Sequence, residues 1–275
     1  LFLVTDYYCN LPESEAANVK RVQIESLYVG SNIDDGTSGE VFLGQIATTV
    51  PDIKDPWLLK LLTWADKFRR LGVWANADYP RDARRALEYG AQGIGLCRSE
   101  HMFFSQERMV ALRRMILSEN EGDRAEALKG LVAYQSDDFA DLFEIMQGRP
   151  VTVRLFDPPL HEFLPRTEED MDETSASLGL SMRSLRQRLE RLTEINPMLG
   201  HRGCRLAITY PEILDMQMRA LFAGARSAVG RQSETVRLEI MVPFVSSVRE
   251  VVWVKQQVMM SADSVRLRDD NLVVR

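Results

Sequence analysis

Two arginines stand at the ends of short apolar runs. Ile94-Gly95-Leu96-Cys97 leads into Arg98, and Val151-Thr152-Val153 leads into Arg154. Runs of this kind, bounded by glycine or proline, read as buried parallel strands. The carboxyl ends of parallel strands are where α/β proteins collect anionic ligands. Two planar guanidinium forks at such ends suit a phosphate or a carboxylate, which they can grip bidentately. A third arginine, Arg202, sits among glycines in Asn196-Pro197-Met198-Leu199-Gly200-His201-Arg202-Gly203. Asp157 follows Arg154 closely enough to orient it, as a stiff binding fork requires. Glu100, Asn196 and His201, in or beside the same segments, are supporting candidates. For Arg98 the competing reading is a structural ion pair with Glu100 or Glu88.

Other chemistries find less support. The histidines are His101, His161 and His201, and none has the spacing of a metal pair. His201, beside Arg202, is the best functional candidate of the three. Cys9, Cys97 and Cys204 are widely spaced and odd in number, which gives neither a disulfide framework nor a zinc pattern. A reducing compartment is the simpler reading of this pattern, and Cys97 and Cys204 read as core residues. No Walker motif or serine-nucleophile elbow is present. Asp157-Pro158-Pro159 forces a stiff, extended turn after the strand that ends in Arg154.

The 275 residues are 45% hydrophobic and 27% charged, an ordinary globular composition, and the length suggests about two domains. A net charge of -6 argues against nucleic-acid binding but leaves room for a small anionic ligand held by local arginines. No apolar stretch approaches the roughly 18 residues of a membrane span.

The elements that must position the arginines follow from periodicity. Residues 1–50 read as the end of a β-rich domain, with strands at Glu25–Val29 and Glu40–Leu43 around the turn formers Asp34–Gly39. Residues 51–72 read as a connecting helix. Asp55 caps it, Pro56 opens it, Leu58, Leu61, Leu62, Ala65 and Phe68 form its stripe, and Gly72 closes it. From 73 to 275 strands alternate with helices. The strands are Val73–Ala75, the run to Arg98, the run to Arg154, a short strand or tight loop at 196–203, and Val236–Val242. Helices cover Pro80–Tyr89, Ser105–Gln147 with breaks near Asn120 and Ser136, Ser181–Ile195, Pro211–Ala223 and Val248–Met259. The expectation is an α/β fold, an incomplete (β/α)8 TIM-type barrel with about five of its units, rather than a doubly wound sheet. An unclosed barrel leaves bare strand edges, so the chain is expected to be part of a longer one.

GIGLCRSEHMFF, VTVRLFDPPLHEFLP, NPMLGHRGCRLAITYPEI and LEIMVPFV, in this order, resemble the pyruvate, phosphate dikinase family of phosphoenolpyruvate (PEP)-utilising enzymes, from about residue 25 to about residue 258. DPPLHEFLP separates this family from PEP synthase and from enzyme I of the phosphotransferase system. DDGTSGEVFLG, Asp34 to Gly44, resembles the last hairpin of the family's swivelling phosphohistidine domain. The resemblance therefore implies the end of that domain at 1–50, a linker helix at 51–72 and the first part of a PEP/pyruvate-binding barrel at 73–275.

The implied reaction converts ATP, phosphate and pyruvate to AMP, pyrophosphate and PEP through a phosphohistidine. Arg98 and Arg154 would grip the phosphate, Arg202 would add a third contact, and Asp157 would orient them. The implied cofactor is Mg²⁺, with its ligands outside this sequence. The phosphohistidine, the ATP domain and the proton-donor cysteine are also outside it, so these residues alone are expected to be inactive. Implied partners are PEP or pyruvate, the protein's own phosphohistidine domain and a second copy joined through the barrel, with no nucleic acid and no membrane. Family members sit in bacterial cytoplasm, plastids or glycosomes. Tyr79 departs from the family, which usually has a capping threonine there. The alternatives are a catalytically dead homologue acting as a dimerisation or regulatory module and, with less support, PEP synthase or enzyme I.

Overall fold

The computed structural model describes residues 32–35, 40–43, 52–158, 163–192, 200–231, 234–264 and 272–275. The chain divides into two compact units, Leu1–Lys60 and Leu61–Arg275. In the first, β1 (Asn32–Asp35) pairs antiparallel with β2 (Glu40–Leu43), in the register Asn32 to Leu43. The hairpin is tighter than the sequence predicts, because Asp34 and Asp35 belong to the strand and not to the turn. The expected strand Glu25–Val29 lies outside the described residues.

Helix α1 (Pro56–Phe68) begins as predicted, with Asp55 Oδ1 accepting from the backbone N–H of Trp57 and Leu58. None of its side chains is buried, whereas a stripe of this kind usually packs. It ends before Gly72, which does not have a positive φ and is no left-handed cap.

Among the described residues, the second unit is built on five parallel strands: β3 (Trp74–Asn76), β4 (Gly93–Arg98), β5 (Pro150–Arg154), β6 (Val236–Met241) and β7 (Leu272–Val274). They neighbour one another in chain order. A doubly wound sheet reverses its strand order partway, and this one does not, so the sheet is an arc of a (β/α)8-type barrel. Helix α2 (Pro80–Glu88) joins β3 to β4 and stops where Gly90 takes φ +84°. Between β4 and β5 lie a 3-10 turn (Ser99–Phe103), α3 (Gln106–Leu117) and α4 (Glu121–Met146). The break at Asn120 is real, since its Oδ1 caps α4 by accepting from Asp123 N at 2.8 Å. The break expected at Ser136 is absent, and α4 runs straight through it.

After β5 come α5 (Glu168–Leu178), which periodicity did not reveal, and α6 (Met182–Leu192). Residues 200–203 are a loop, not a strand, leading into α7 (Cys204–Thr209) and α8 (Pro211–Arg231). The fifth strand is therefore Leu272–Val274, beyond α9 (Val248–Ser264).

The main core lies between the sheet, with Ile94, Cys97, Val151, Val153 and Leu238, and the α4–α8 pair, with Phe139, Phe143, Met218 and Phe222. These two helices approach closely at Gly224. A Cβ there would stand 2.7 Å from both Phe139 Cβ and the Ser136 carbonyl. Gly224→Ala is thus expected to destabilise the fold by about 1–3 kcal/mol through overpacking. Urea unfolding checks this, and an unchanged midpoint contradicts the close crossing.

Candidate anion-binding site at the strand ends

The strand register places the first two arginines side by side, since Arg98 and Arg154 are partners across β4 and β5. A guanidinium at a half-buried strand end needs a counter-charge, and each arginine has one. Asp78, in the loop after β3, is almost fully buried. Its Oδ1 accepts from Arg98 N at 2.7 Å, and its Oδ2 accepts from Arg98 Nε at 2.9 Å and lies 2.7 Å from Nη2. Neither Glu100 nor Glu88 is the partner that the structural reading of Arg98 required. Glu100, on the 3-10 turn, instead binds Arg154 Nη2 through Oε1.

Asp157, 1% exposed, joins the other two arginines. Its Oδ2 is 3.6 Å from Arg154 Nη1, and its two oxygens accept from Arg202 Nε at 2.7 Å and Nη2 at 2.8 Å. The Arg202 guanidinium also stacks over Phe244, 4.8 Å from the ring centre. Gly203 makes this placement possible. It has φ +59°, and a Cβ on it would lie 2.9 Å from the Pro243 carbonyl.

The network thus contains three arginines and three carboxylates. Burial pushes the Glu100 carboxyl above the usual carboxylate range, against the pull of Arg154. Among the described residues, Arg154 Nε and Glu100 Oε2 are buried with no hydrogen-bond partner. Arg98 is the most accessible of the three, with 37% of its side chain exposed. The arrangement offers planar N–H donors, pre-oriented by carboxylates, to an anion arriving over the strand ends.

Of the residues that the sequence singled out, Arg98, Glu100, Arg154, Asp157 and Arg202 come together. Asn196 lies outside the described residues, as do His161 and Pro159. His201 bonds toward α7, its Nε2 3.0 Å from Thr209 Oγ1. The imidazole that joins the network is His101, whose Nδ1 is 2.9 Å from Asp78 Oδ2. Asp78 and His101 were missed as functional residues. The signal for Asp78 was its place just past the end of a strand, but nothing in the sequence tells which arginine it meets. Tyr79 makes no side-chain cap for α2. Its hydroxyl donates to the His101 carbonyl at 2.7 Å and braces the turn instead.

Among the described residues no group of three His, Cys, Asp or Glu side chains could hold a metal ion. The three site carboxylates are committed to guanidinium groups, so they do not form a metal site. Cys97 and Cys204 are buried, and burial pushes both thiols up, away from nucleophilic use. A separate cavity of about 390 Å³ is walled by Met115, Arg124, Phe156, Arg188 and Tyr210. Arg124 and Arg188 are paired with Glu212 and Glu119, and none of the three network arginines lines it.

The family model described as PEP-utilising enzyme, PEP-binding domain, matches residues 56–271. The chain is 50% identical over 224 residues to pyruvate, phosphate dikinase of Rhizobium meliloti (strain 1021), covering 82% of this chain and 25% of the relative. It is 44% identical over 232 residues to pyruvate, phosphate dikinase of Clostridium symbiosum, covering 84% and 26%. It is 48% identical over 219 residues to pyruvate, phosphate dikinase 1, chloroplastic, of Arabidopsis thaliana, covering 79% and 22%. The chain spans about a quarter of the length of the curated relatives it matches.

The network also sets a pH response. Burial holds the His101 imidazole below its ordinary 6.5, helped by Arg98 and Arg154 and opposed by Asp78. A depressed histidine favours the fold above pH 6.5, and this contribution is lost as pH falls from 6.5 through the folded value. In an NMR titration His101 is expected to titrate below 6.5, and Asp78→Asn to lower it further. A midpoint above 6.5 contradicts this electrostatic account.

Proposed function

The chain belongs to the PEP-utilising enzymes, within their PEP-binding domain, and from that premise we propose that it forms the first part of the PEP/pyruvate-binding barrel of a pyruvate, phosphate dikinase. The observation that carries the reading is the pair Arg98 and Arg154, in register on adjacent strand ends and braced by buried acids. Phosphoryl transfer needs positioning and charge neutralisation more than covalent chemistry from the protein. In this reading Arg98, the more exposed fork, meets the arriving phosphate. Arg154 neutralises charge that builds on the transferring group, and Arg202 adds field from behind Asp157. Glu100 and Asp157 keep the Arg154 fork from collapsing onto other acceptors before the substrate arrives.

The reaction proposed is ATP, phosphate and pyruvate to AMP, pyrophosphate and PEP, with a phosphohistidine carried by a swivelling domain of the same protein. Residues 1–50 would be the end of that domain, 51–72 the linker, and the barrel the surface through which two copies associate. Mg²⁺ belongs to the proposal as the Lewis acid for the pyruvate enolate. Its ligands would come from outside these residues. The proposed location is the cytoplasm, or a plastid, as in relatives named chloroplastic. No helix among the described residues is long and apolar enough to cross a membrane.

In the full-length protein, Arg154→Lys keeps the charge but loses the fork. The half-reaction between phosphohistidine and pyruvate is expected to fall by about 100-fold or more, the order for a transition-state charge contact. Phosphohistidine formation from ATP, at a different site, should survive, and Arg98→Ala should show the same split. Sparing of the pyruvate half-reaction, or equal loss of both in a folded protein, contradicts the assignment. The 275 residues alone should form no PEP from ATP, phosphate and pyruvate. Mg²⁺-dependent turnover by the purified segment would refute that.

A further inference from the structure

Behind the arginine network lies a second, fully buried set of polar groups. Ser99 follows Arg98 directly and is 0% exposed. Its hydroxyl donates to the Arg154 carbonyl at 2.8 Å, tying the end of β4 to the end of β5. Gln217, on α8 and 1% exposed, reaches both strand ends at once. Its Nε2 donates to Ser99 Oγ at 2.6 Å, and its Oε1 accepts from Phe156 N at 2.8 Å. Gln135, on α4 and 0% exposed, donates from Nε2 to the Ser99 carbonyl at 3.3 Å.

A buried glutamine is costly in this setting. The face of α8 that carries it is otherwise apolar, with Ile213, Leu214, Met218 and Leu221 buried alongside. An unsatisfied amide there would be strongly unfavourable, because its lost water contacts would go unreplaced. Gln217 avoids that cost because both ends of its amide are used. The groups it holds stand one residue after Arg98, two residues after Arg154 and one residue before Asp157. Through Asp157 the second contact also bears on Arg202.

We infer that Gln217 is a positioning residue for the phosphoryl-binding arginines, with Ser99 as its relay, setting the separation of the two forks through the backbone that carries them. This rests on the reading above that Arg98 and Arg154 bind the transferring phosphoryl group. Misplacing a binding group by about 1 Å can cost on the order of 100-fold in rate.

The test uses the full-length protein with Gln217→Met, which keeps length and bulk, and Ser99→Ala, a small change that removes only the relay hydroxyl. Each is assayed for kcat and KM in both half-reactions, with the melting temperature measured alongside. Gln217→Met is expected to lower kcat/KM for PEP by tenfold or more and to leave phosphohistidine formation from ATP within about twofold. Ser99→Ala should shift the same half-reaction, and the double variant should be no worse than the worse single, because both break one clamp.

A merely structural glutamine would lower the melting temperature and leave kcat/KM for PEP unchanged in the folded enzyme, and that result overturns the inference. If Gln217→Met does not fold, Ser99→Ala decides, and a normal PEP half-reaction in it overturns the inference equally. Arg154→Lys separates the two levels. If it spares the PEP half-reaction, the site reading fails. If it cuts that half-reaction while Gln217→Met and Ser99→Ala leave it unchanged, only the clamp fails.

Discussion

A guanidinium held at a strand end, waiting for an anion, is a desolvated charge with nothing to neutralise it until the ligand comes. The pairing of Arg98 with Asp78, Arg154 with Glu100, and Arg202 with Asp157 resolves that problem. Removing one member of the most buried pair, Arg202–Asp157, would leave an uncompensated charge, typically at a cost of about 3–5 kcal/mol. The loops after β3, β4 and β5 and the loop before α7 are therefore constrained together. In the proposed reading the same pairing would serve chemistry, because a fork fixed by a carboxylate keeps its remaining donors in one plane.

The packing beneath the site follows from the same requirement. The arginines can be fixed to within a fraction of an ångström only if the strand ends are. Those ends are tied laterally by Ser99 and from below by Gln217 and Gln135. The two glutamines sit on α8 and α4, helices locked together at the Gly224 crossing. A chain of contacts thus runs from a helix–helix packing constraint, through buried amides, to the spacing of the charged groups.

Much of this was legible in the sequence wherever the signal was local. Arg98 and Arg154 end apolar runs, and both runs are strands. Asn120 has the side chain of a cap and caps α4. The parts that escaped depend on pairing between distant segments. Glu100 is two residues from Arg98 yet holds Arg154, because the 3-10 turn after β4 carries it toward β5. Asp78 meets Arg98 only through the register of β3 on β4. Ser136 looked like a helix break but lies inside α4, where its carbonyl abuts the glycine of the partner helix. His201 sits beside Arg202 in sequence, yet the local turn sends its ring toward Thr209.

In the proposed function the braced Arg98 and Arg154 forks together hold a phosphoryl group. A crystal structure of the full-length protein with PEP bound tests it most directly. Phosphate oxygens are expected within about 3 Å of guanidinium nitrogens of both arginines, with the Asp78, Glu100 and Asp157 pairs still formed. PEP bound elsewhere on the barrel, or bound only after those arginines leave their carboxylates, would contradict it.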